Sequence, residues 1–137
     1  MVISSKGRYA LRVMVDLAEH GGDGYVSMRD VARRQELSDK YAGQVMSLLS
    51  RAGLVSGVTG KGGGYRLNRP AKDYSVGEIL RLTEGSIAPV SCLECSPNRC
   101  DRADGCKTLP MWEKLNELIC GYLDSVTLAD LLDQPGK

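Results

Sequence analysis

The sequence contains no phenylalanine and only one tryptophan among its 137 residues. Its core must therefore be built mainly from small aliphatic side chains. A chain of this length is long enough for one compact domain with an appendage. Because such a core is modest, association with a partner is favoured.

Long apolar segments are also missing. No stretch approaches the roughly 18 apolar residues of a membrane span, and residues 1–7 contain no apolar region of signal-peptide length. We therefore expect a cytoplasmic protein with no membrane partner. Because cytoplasmic thiols are kept reduced, a structural disulfide knot is the weakest interpretation of the cysteines.

The net charge is only +1, but the two halves of the chain differ in sign. Residues 1–70 carry eleven Lys and Arg against six Asp and Glu, whereas residues 71–137 carry seven against eleven. This split favours polyanion binding by the first half and a different role for the second. Chance scatter of surface charge is the alternative.

The first half of the chain is dominated by helical periodicity. Apolar residues at helical spacing predict an amphipathic helix over residues 6–20, which Gly21 ends. His20 is the only histidine and lies at the end of this helix, where a charged imidazole favours the helix dipole. We interpret it as a surface residue.

Two shorter helices are predicted next. Ser27 and Asp30 match a capping box for the first of them, and Ser38 caps the second, which runs to about residue 52. The connector between them, residues 35–37, is short. Two short helices with a tight connector indicate a helix-turn-helix.

A glycine-rich hairpin follows directly. Strand patterns over residues 54–58 and 65–67 flank a turn that contains Lys61 and several glycines, which tolerate a positive φ. A hairpin in this position is a wing. The predicted fold is therefore mainly α with a small β-hairpin wing: a winged helix-turn-helix domain followed by a long C-terminal dimerisation helix. A phosphate-binding loop is disfavoured, because Lys61 is not followed by Ser or Thr and no helix begins after the glycines.

Polar residues of the third helix share the face opposite its apolar stripe. Lys40, Gln44, Ser47 and Arg51 recur at helical spacing, so this face is free to enter a major groove. Gln suits adenine and Lys suits guanine or phosphate, whereas an ordinary solvated helix face is the alternative. Tyr41 could lie at the DNA surface or complete the core, and we favour core contact with its hydroxyl near the backbone. The predicted DNA-binding residues are Arg29, Ser38, Lys40, Tyr41, Gln44, Ser47, Arg51, Gly60, Lys61, Gly62, Gly63, Gly64 and Tyr65, with Arg33, Arg66 and Arg69 as further phosphate neutralisers.

The acidic half is predicted to contain a helix over residues 76–84 and a long helix after residue 106. Apolar residues from Trp112 to Val126 recur every three or four positions, and they form more apolar face than a small winged domain needs. A symmetric dimer would bury this stripe and place two recognition helices about 34 Å apart on a palindromic DNA site. Folding of the stripe back onto its own chain is the alternative.

Four of the five cysteines, Cys92, Cys95, Cys100 and Cys106, lie within fifteen residues. Thiolates at this density can converge on an iron-sulfur or zinc centre. The CxxC at Cys92 and Cys95 favours zinc, but the later spacings of four and five residues do not repeat it. Reduced thiols in an unordered segment are the remaining alternative. Cys120 lies apart, and we interpret it as a small apolar residue that is buried.

Several short motifs occur together along the chain. They are Ser5-Lys6-Gly7-Arg8-Tyr9-Ala10, the wing Gly60-x-Gly62-Gly63-Gly64-Tyr65, Val76-Gly77-Glu78-Ile79, the spaced cysteines, Trp112 and Thr127-Leu128-Ala129-Asp130-Leu131. Together they resemble the IscR/NsrR-type bacterial transcription regulators. The resemblance covers nearly the whole chain, and the combination of a glycine wing with a cysteine segment is highly specific.

The resemblance implies a homodimeric DNA-binding regulator, often a repressor, whose cluster state reports iron-sulfur supply, nitric oxide or redox conditions. Cys92, Cys100 and Cys106 match the three cluster cysteines of the family. Members with a 2Fe-2S cluster often have a histidine where this chain has Leu109, so Cys95 becomes the candidate fourth ligand, with an exogenous thiol or water as alternatives. A 2Fe-2S cluster is favoured over 4Fe-4S, zinc is the alternative metal, and the cluster-assembly machinery is a further partner.

These expectations divide the chain into four segments. They are a winged helix-turn-helix DNA-binding region at 1–70, a linking helix and connector at 71–91, a cysteine cluster-binding loop at 92–106, and a dimerisation helix with its tail at 107–137. A metal-free regulator that senses a metabolite or docks a partner enzyme is the alternative function. An enzyme is not expected, because a thiol oxidoreductase would need a βαβ-like scaffold around its CxxC.

Overall fold

The computed structural model describes residues 3–22, 24–94 and 101–135. Its helices are α1 (Ser5–His20), α2 (Met28–Gln35), α3 (Asp39–Arg51), α4 (Val76–Glu84), α5 (Leu109–Ser125) and α6 (Leu128–Leu132). The strands β1 (Val55–Val58) and β2 (Gly64–Leu67) form an antiparallel hairpin between α3 and α4. Short 3₁₀ turns lie at Ala71–Asp73, Ser91–Leu93 and Ala103–Gly105. The prediction of a mainly α fold with a hairpin wing is confirmed.

The starts of the helices follow the capping residues of the sequence. The hydroxyls of Ser27, Ser38 and Ser75 each accept a backbone N–H from the third residue of the helix they begin. The predicted capping box at Ser27 is wrong in one respect, because its second half is missing. The carboxylate of Asp30 lies 3.5 Å from Arg33 instead of bonding the backbone N–H of Ser27.

Helix α1 lies at the centre of the core. Its residues Ala10, Val13 and Met14 are fully buried, and they belong to one cluster with side chains from both halves of the sequence. The helix packs against α2, α3, β2, α4 and α6. The members of the cluster from beyond residue 70 are Tyr74, Ile79 and Leu128. The core is therefore continuous from the winged part to the C-terminal part of the chain.

A buried carboxylate joins α1 to α2. Asp16 has a fully buried side chain, and it accepts hydrogen bonds from Arg34 at 2.7 and 2.9 Å and from Gln35 at 2.9 Å. Arg12 donates to the carbonyl and to the side chain of the same Gln35. Because Gln35 ends α2, these bonds fix the position of the helix-turn-helix on α1.

Polar contacts join helix α4 to two other parts of the fold. Glu84, the last residue of α4, accepts hydrogen bonds from the backbone N–H of Ser4 at 3.0 Å and from its hydroxyl at 2.6 Å. Arg81 and Asp124 form a two-pronged ion pair, at 2.6 and 3.1 Å, between α4 and α5. Helix α4 is thereby joined both to the start of α1 and to the end of α5.

Among the described residues, no helix is long and apolar enough to cross a membrane.

The Asp16 network predicts a large effect from a small substitution. In Asp16→Asn an amide NH₂ would face the N–H donors of Arg34 and Gln35, so a buried donor would lose its acceptor. We expect the free energy of unfolding in urea to fall by about 2 to 3 kcal/mol. As the control, Glu117→Gln alters an exposed ion pair with Lys114 and should change it by less than about 0.5 kcal/mol. Equal effects of the two substitutions would contradict this assignment.

Asp16 also predicts a pH dependence of stability. Burial alone raises the pKa of this carboxyl, but the hydrogen bonds from Arg34 and Gln35 and the charge of Arg34 outweigh it, so the pKa lies below its ordinary value. Such a group stabilises the fold above its unfolded pKa of about 3.9 and loses that contribution as the pH falls through the folded pKa. Urea titrations below about pH 4 should therefore show a steeper loss of stability for the parent than for Asp16→Asn. Parallel pH profiles would show that Asp16 is not the responsible group.

Candidate nucleic-acid interface and metal centre

The predicted base-reading residues lie on the exposed face of α3. The side chains of Lys40, Gln44, Ser47 and Arg51 are exposed, whereas Val45 on the opposite face of the helix is buried. Ser38 is exposed at the N-cap of the helix, and Arg29 is exposed on α2. The structure therefore brings the predicted residues of α3 together on one solvent-facing surface.

The turn between α2 and α3 sets the direction in which this surface points. Glu36 adopts a left-handed conformation, with φ of 57°, and its backbone N–H bonds the carbonyls at the end of α2. Leu37 then packs against the core and donates its N–H to Ala32 at 2.9 Å. A non-glycine residue in this conformation is uncommon, so the tight connector is set by packing rather than by a glycine signal.

The wing is attached to the body by two backbone hydrogen bonds. Val26 and Tyr65 exchange N–H to carbonyl bonds of 2.8 Å, so a residue two positions before α2 pairs with β2. This pairing requires Gly64 next to Tyr65, because a β-carbon at Gly64 would overlap the carbonyl of Val26. At the tip Gly60 has φ of 94°, a conformation that favours glycine. Gly60, Lys61 and Gly62 are all exposed there.

Tyr41 lies between the core and the exposed face of α3. It is half-buried and packs against the core, and its ring meets that of Tyr9 edge to face at 5.4 Å. The guanidinium of Arg12 lies over the other ring of the pair, 5.1 Å from the centre of Tyr9. The first of these contacts agrees with the expected core packing. The sequence does not reveal the contact between Tyr9 and Tyr41, because the two residues are more than thirty positions apart.

Not every arginine that was expected to neutralise phosphate is free to do so. Arg69 donates to the carbonyl of Asp73 and to Glu78 at 2.9 and 2.8 Å, and its guanidinium lies over the ring of Tyr74. Arg66 lies over the ring of Tyr25, and Arg33 pairs with Asp30. The spacing of Asp30 and Arg33 on one helix is compatible with their pairing, whereas the contacts of Arg69 with Glu78 and of Arg66 with Tyr25 could not be predicted from the sequence. The guanidinium of Arg69 is therefore committed to the body of the fold.

The cysteine segment connects α4 to α5. Cys92 is half-buried in the 3₁₀ turn Ser91–Leu93, which contacts α5, and Cys106 is half-buried three residues before α5 begins. Cys95 and Cys100 lie outside the described residues. Within the described ranges, no three metal-ligating side chains come together. The structure therefore locates two of the four predicted ligands and does not test whether all four converge on one metal site.

Cys106 lies in surroundings that favour a thiolate. Its Sγ is 3.2 Å from the hydroxyl of Thr108, and hydrogen bonds from this hydroxyl and then from the Thr108 backbone lower the pKa of the Cys106 thiol. The Leu109 N–H at the start of α5 and the charge of Arg102 act in the same direction. Because metals bind the thiolate form, this donor suits a soft metal or cluster.

Three further positions bear on whether another ligand lies near Cys106. Cys120 is half-buried on α5 with its Sγ 3.5 Å from Asn116, where it packs in the α4–α5 cluster. Leu109 is the first residue of α5. His20 is exposed at the end of α1, 3.6 Å from Asp16. The chemistry of the described donors therefore fits thiolate ligation and supplies no imidazole beside Cys106.

Helix α5 has two apolar faces. One face packs towards α4 through Cys120 and Leu123, which are half-buried. The other is exposed and consists of Met111, Leu115, Leu118 and Tyr122. An apolar groove borders this exposed face, with Ile3 and Leu80 on its far side. The predicted single stripe is thus divided, and about half of it lies on the protein surface.

Comparisons with known proteins place the chain in a family. The family model Rrf2, described as an iron-dependent transcriptional regulator, matches residues 3–134. The HTH-type transcriptional regulator IscR of Serratia proteamaculans is 38% identical over 133 residues, which cover 97% of this chain and 80% of that protein. The IscR of Photobacterium profundum is 39% identical over 132 residues, covering 96% and 76%.

Solved structures give the same result. CymR, the global cysteine regulator of B. subtilis, has a TM-score of 0.83 and 35% identity, and the match covers 99% of each chain. T. potens IscR has a TM-score of 0.78 and 39% identity, over 100% of this chain and 93% of the other. The chain therefore belongs to the Rrf2 family and is a DNA-binding transcriptional regulator, not an enzyme.

Proposed function

We propose that the chain is a cytoplasmic homodimeric repressor that binds palindromic promoter DNA and whose affinity is set by an iron-sulfur cluster. The observation that carries this proposal is the location of the cysteine segment. Cys92 follows α4, which holds the start of α1, by eight residues, and Cys106 lies three residues before α5.

The α3 surface and the wing support the DNA-binding half of the proposal. Gln44 and Lys40 would reach base edges in the major groove, and Ser47 and Arg51 would lie along the same face. The exposed glycines of the wing would allow backbone to approach a phosphate strand or the minor groove, with Lys61 as the cation. The repressor role comes from the family resemblance.

The exposed face of α5 supports the dimer. Its four large apolar side chains would be buried by the same face of a second copy, and two recognition helices would then be about 34 Å apart on the DNA. Because α5 begins three residues after Cys106, a change at the cysteines would act directly on the helix that sets this spacing.

The described thiols fit the cysteine half of the proposal. Cys92 and Cys106 are accessible and free, and the pKa of Cys106 is lowered. Cys92, Cys100 and Cys106 would hold the cluster, with Cys95 as the fourth ligand and 2Fe-2S as the favoured type. A bound cluster supplies redox-active iron. Ligation by residues on both sides of the segment would tie the end of α4 to the start of α5.

A metal-free regulator is the second candidate function. It is favoured by the similarity to CymR, which is described as a global cysteine regulator. In this alternative the protein still binds DNA through the α3 surface and still dimerises, but the signal that it senses is a metabolite or a partner enzyme. Zinc bound by the same thiolates would give a third variant, with a structural role for the metal.

The DNA-binding surface predicts different outcomes for two substitutions. Lys61→Ala should weaken binding to every duplex and reduce the slope of log K against log salt by about 0.9, as expected for one lost phosphate contact. Gln44→Ala should leave the slope unchanged and relax the preference at one base position, at a cost of about 1 to 3 kcal/mol. Fluorescence anisotropy on selected and random duplexes measures both. Parental behaviour of both variants would refute this docking surface.

The cysteine assignment predicts a metal content that depends on three residues. Protein purified without oxygen should absorb in the visible range and contain iron and sulfide, whereas a preparation made in air can lack the cluster. Serine at Cys92, Cys100 or Cys106 should abolish both signals, and Cys120→Ser is the matched control that should keep them. Loss of the cluster in Cys95→Ser would identify the fourth ligand.

Two results would replace the cluster with another explanation. Stoichiometric zinc without iron would show a zinc-stabilised regulator. Normal regulation after all three cysteines are changed to serine would support the metal-free regulator.

The α5 face predicts the oligomeric state. Leu118→Asp should raise the dimer dissociation constant roughly 100-fold or more, because each of the two subunits would place a charge in an apolar interface. Analytical ultracentrifugation measures this, and affinity for a palindromic duplex should fall in parallel. Glu117→Gln, on a different side of α5, is the control. A Leu118→Asp protein that remains dimeric at micromolar concentration would show that the interface lies elsewhere.

A further inference from the structure

A groove of about 180 Å³ runs between the first turn of α1 and the exposed side of α3. Lys6 from α1 and Arg51 from the end of α3 line it, together with Gln44. Tyr41, Val45 and Leu48 are its remaining lining residues. The groove is thus continuous with the surface that is proposed to read DNA, but one of its walls belongs to a different helix.

The groove is cationic. No carboxylate is among its lining residues, and neither Lys6 nor Arg51 forms an ion pair with any residue that the structure describes. By contrast, Arg34, Arg69 and Arg81 are each paired with a carboxylate of the fold. Two unpaired cations in one groove therefore leave it suited to an anion from outside the chain.

The position of Lys6 is held by the rest of the fold. Ser4 caps α1 by accepting the N–H of Gly7 at 3.2 Å, and Glu84 in turn accepts both donors of Ser4. Gly7, next to Lys6, is buried against α4, where a side chain would meet Leu80 and Glu84. The backbone of the first turn of α1 is thus held by the Ser4 cap and by the packing of Gly7 against α4. This reduces the entropy lost when Lys6 orders against a ligand.

We infer that Lys6 contacts a DNA backbone phosphate next to the base pair that Gln44 reads, so that the DNA-binding surface extends from α3 onto α1. The phosphate would lie between Lys6 and Arg51, and the apolar side chains of the groove would face the adjoining sugar. This contact rests on the proposed DNA-binding function and goes beyond it, because that proposal places the DNA contacts on α3 and the wing alone.

The salt dependence of binding tests the charge. Lys6→Gln in the full-length chain should reduce the slope of log K against log salt on a random duplex by about 0.9, and weaken binding roughly eightfold at 0.1 M salt. Lys6→Arg should restore the parental slope. Lys72→Gln, an exposed lysine of the turn Ala71–Asp73, is the matched control and should behave as the parent. Unchanged thermal unfolding of Lys6→Gln will show that the fold is intact.

Neutral phosphates test the position of the contact. A duplex selected by the parent is prepared with single methylphosphonate linkages, one position at a time. The parent should bind a duplex with a methylphosphonate beside the Gln44 base pair more weakly than the unmodified duplex. Lys6→Gln, which has already lost the contact, should bind these two duplexes equally. Equal losses for the two proteins at every linkage would overturn the contact, and so would an unchanged slope in the salt titration.

The outcomes also separate this inference from the proposed function. If Lys61→Ala flattens the salt dependence and Lys6→Gln does not, the wing contact stands and the α1 contact is refuted. If the parent itself shows no salt dependence, the whole docking surface fails.

Discussion

The structure depends on the burial of α1. Small and aliphatic residues such as Ala10 and Val13 allow α2, α3, β2, α4 and α6 all to pack on this one helix. Its buried carboxylate, Asp16, then fixes α2 through Arg34 and Gln35, with charge-assisted bonds that would be costly to break. In a chain without phenylalanine, a shared central helix of this kind makes one core out of side chains that are individually small. The position of the recognition surface therefore follows from how α1 is held.

The two halves of the chain carry surface charge of opposite sign, but they contribute side chains to the same hydrophobic core. The change of sign near residue 70 lies on the surface, while Tyr74 and Leu128 complete the core around α1. Tyr74 also donates its hydroxyl to the carbonyl of Leu54 at 2.6 Å, just before the wing begins. The polar contact between Ser4 and Glu84 adds a second connection, at the residue where α4 ends and the chain continues towards Cys92. A rearrangement at the cysteines would thus act on α4, which packs on α1, and this is the physical basis for the proposed regulation.

The sequence predicted the elements well because their signals are local. Serine caps, apolar periodicity and the glycine hairpin placed every long helix and the wing within a few residues, and the polar face of α3 is exposed as expected. The contacts that position the site were not predictable. Asp16 looks like a solvated helix residue until Arg34 and Gln35, about eighteen residues away, are seen to surround it. Glu36 gives no glycine signal for its left-handed turn, and the apolar periodicity of α5 does not show which half faces α4.

The central claim is that the state of the cysteine segment is linked to the affinity of the α3 and wing surface for DNA. One measurement tests it directly: the DNA dissociation constant of a single anaerobic preparation, determined before and after its iron is removed by a chelator. Linkage predicts a change of at least about fivefold, and the change should vanish in protein that carries serine at Cys92, Cys100 and Cys106. Identical dissociation constants for iron-containing and iron-free protein would contradict the account.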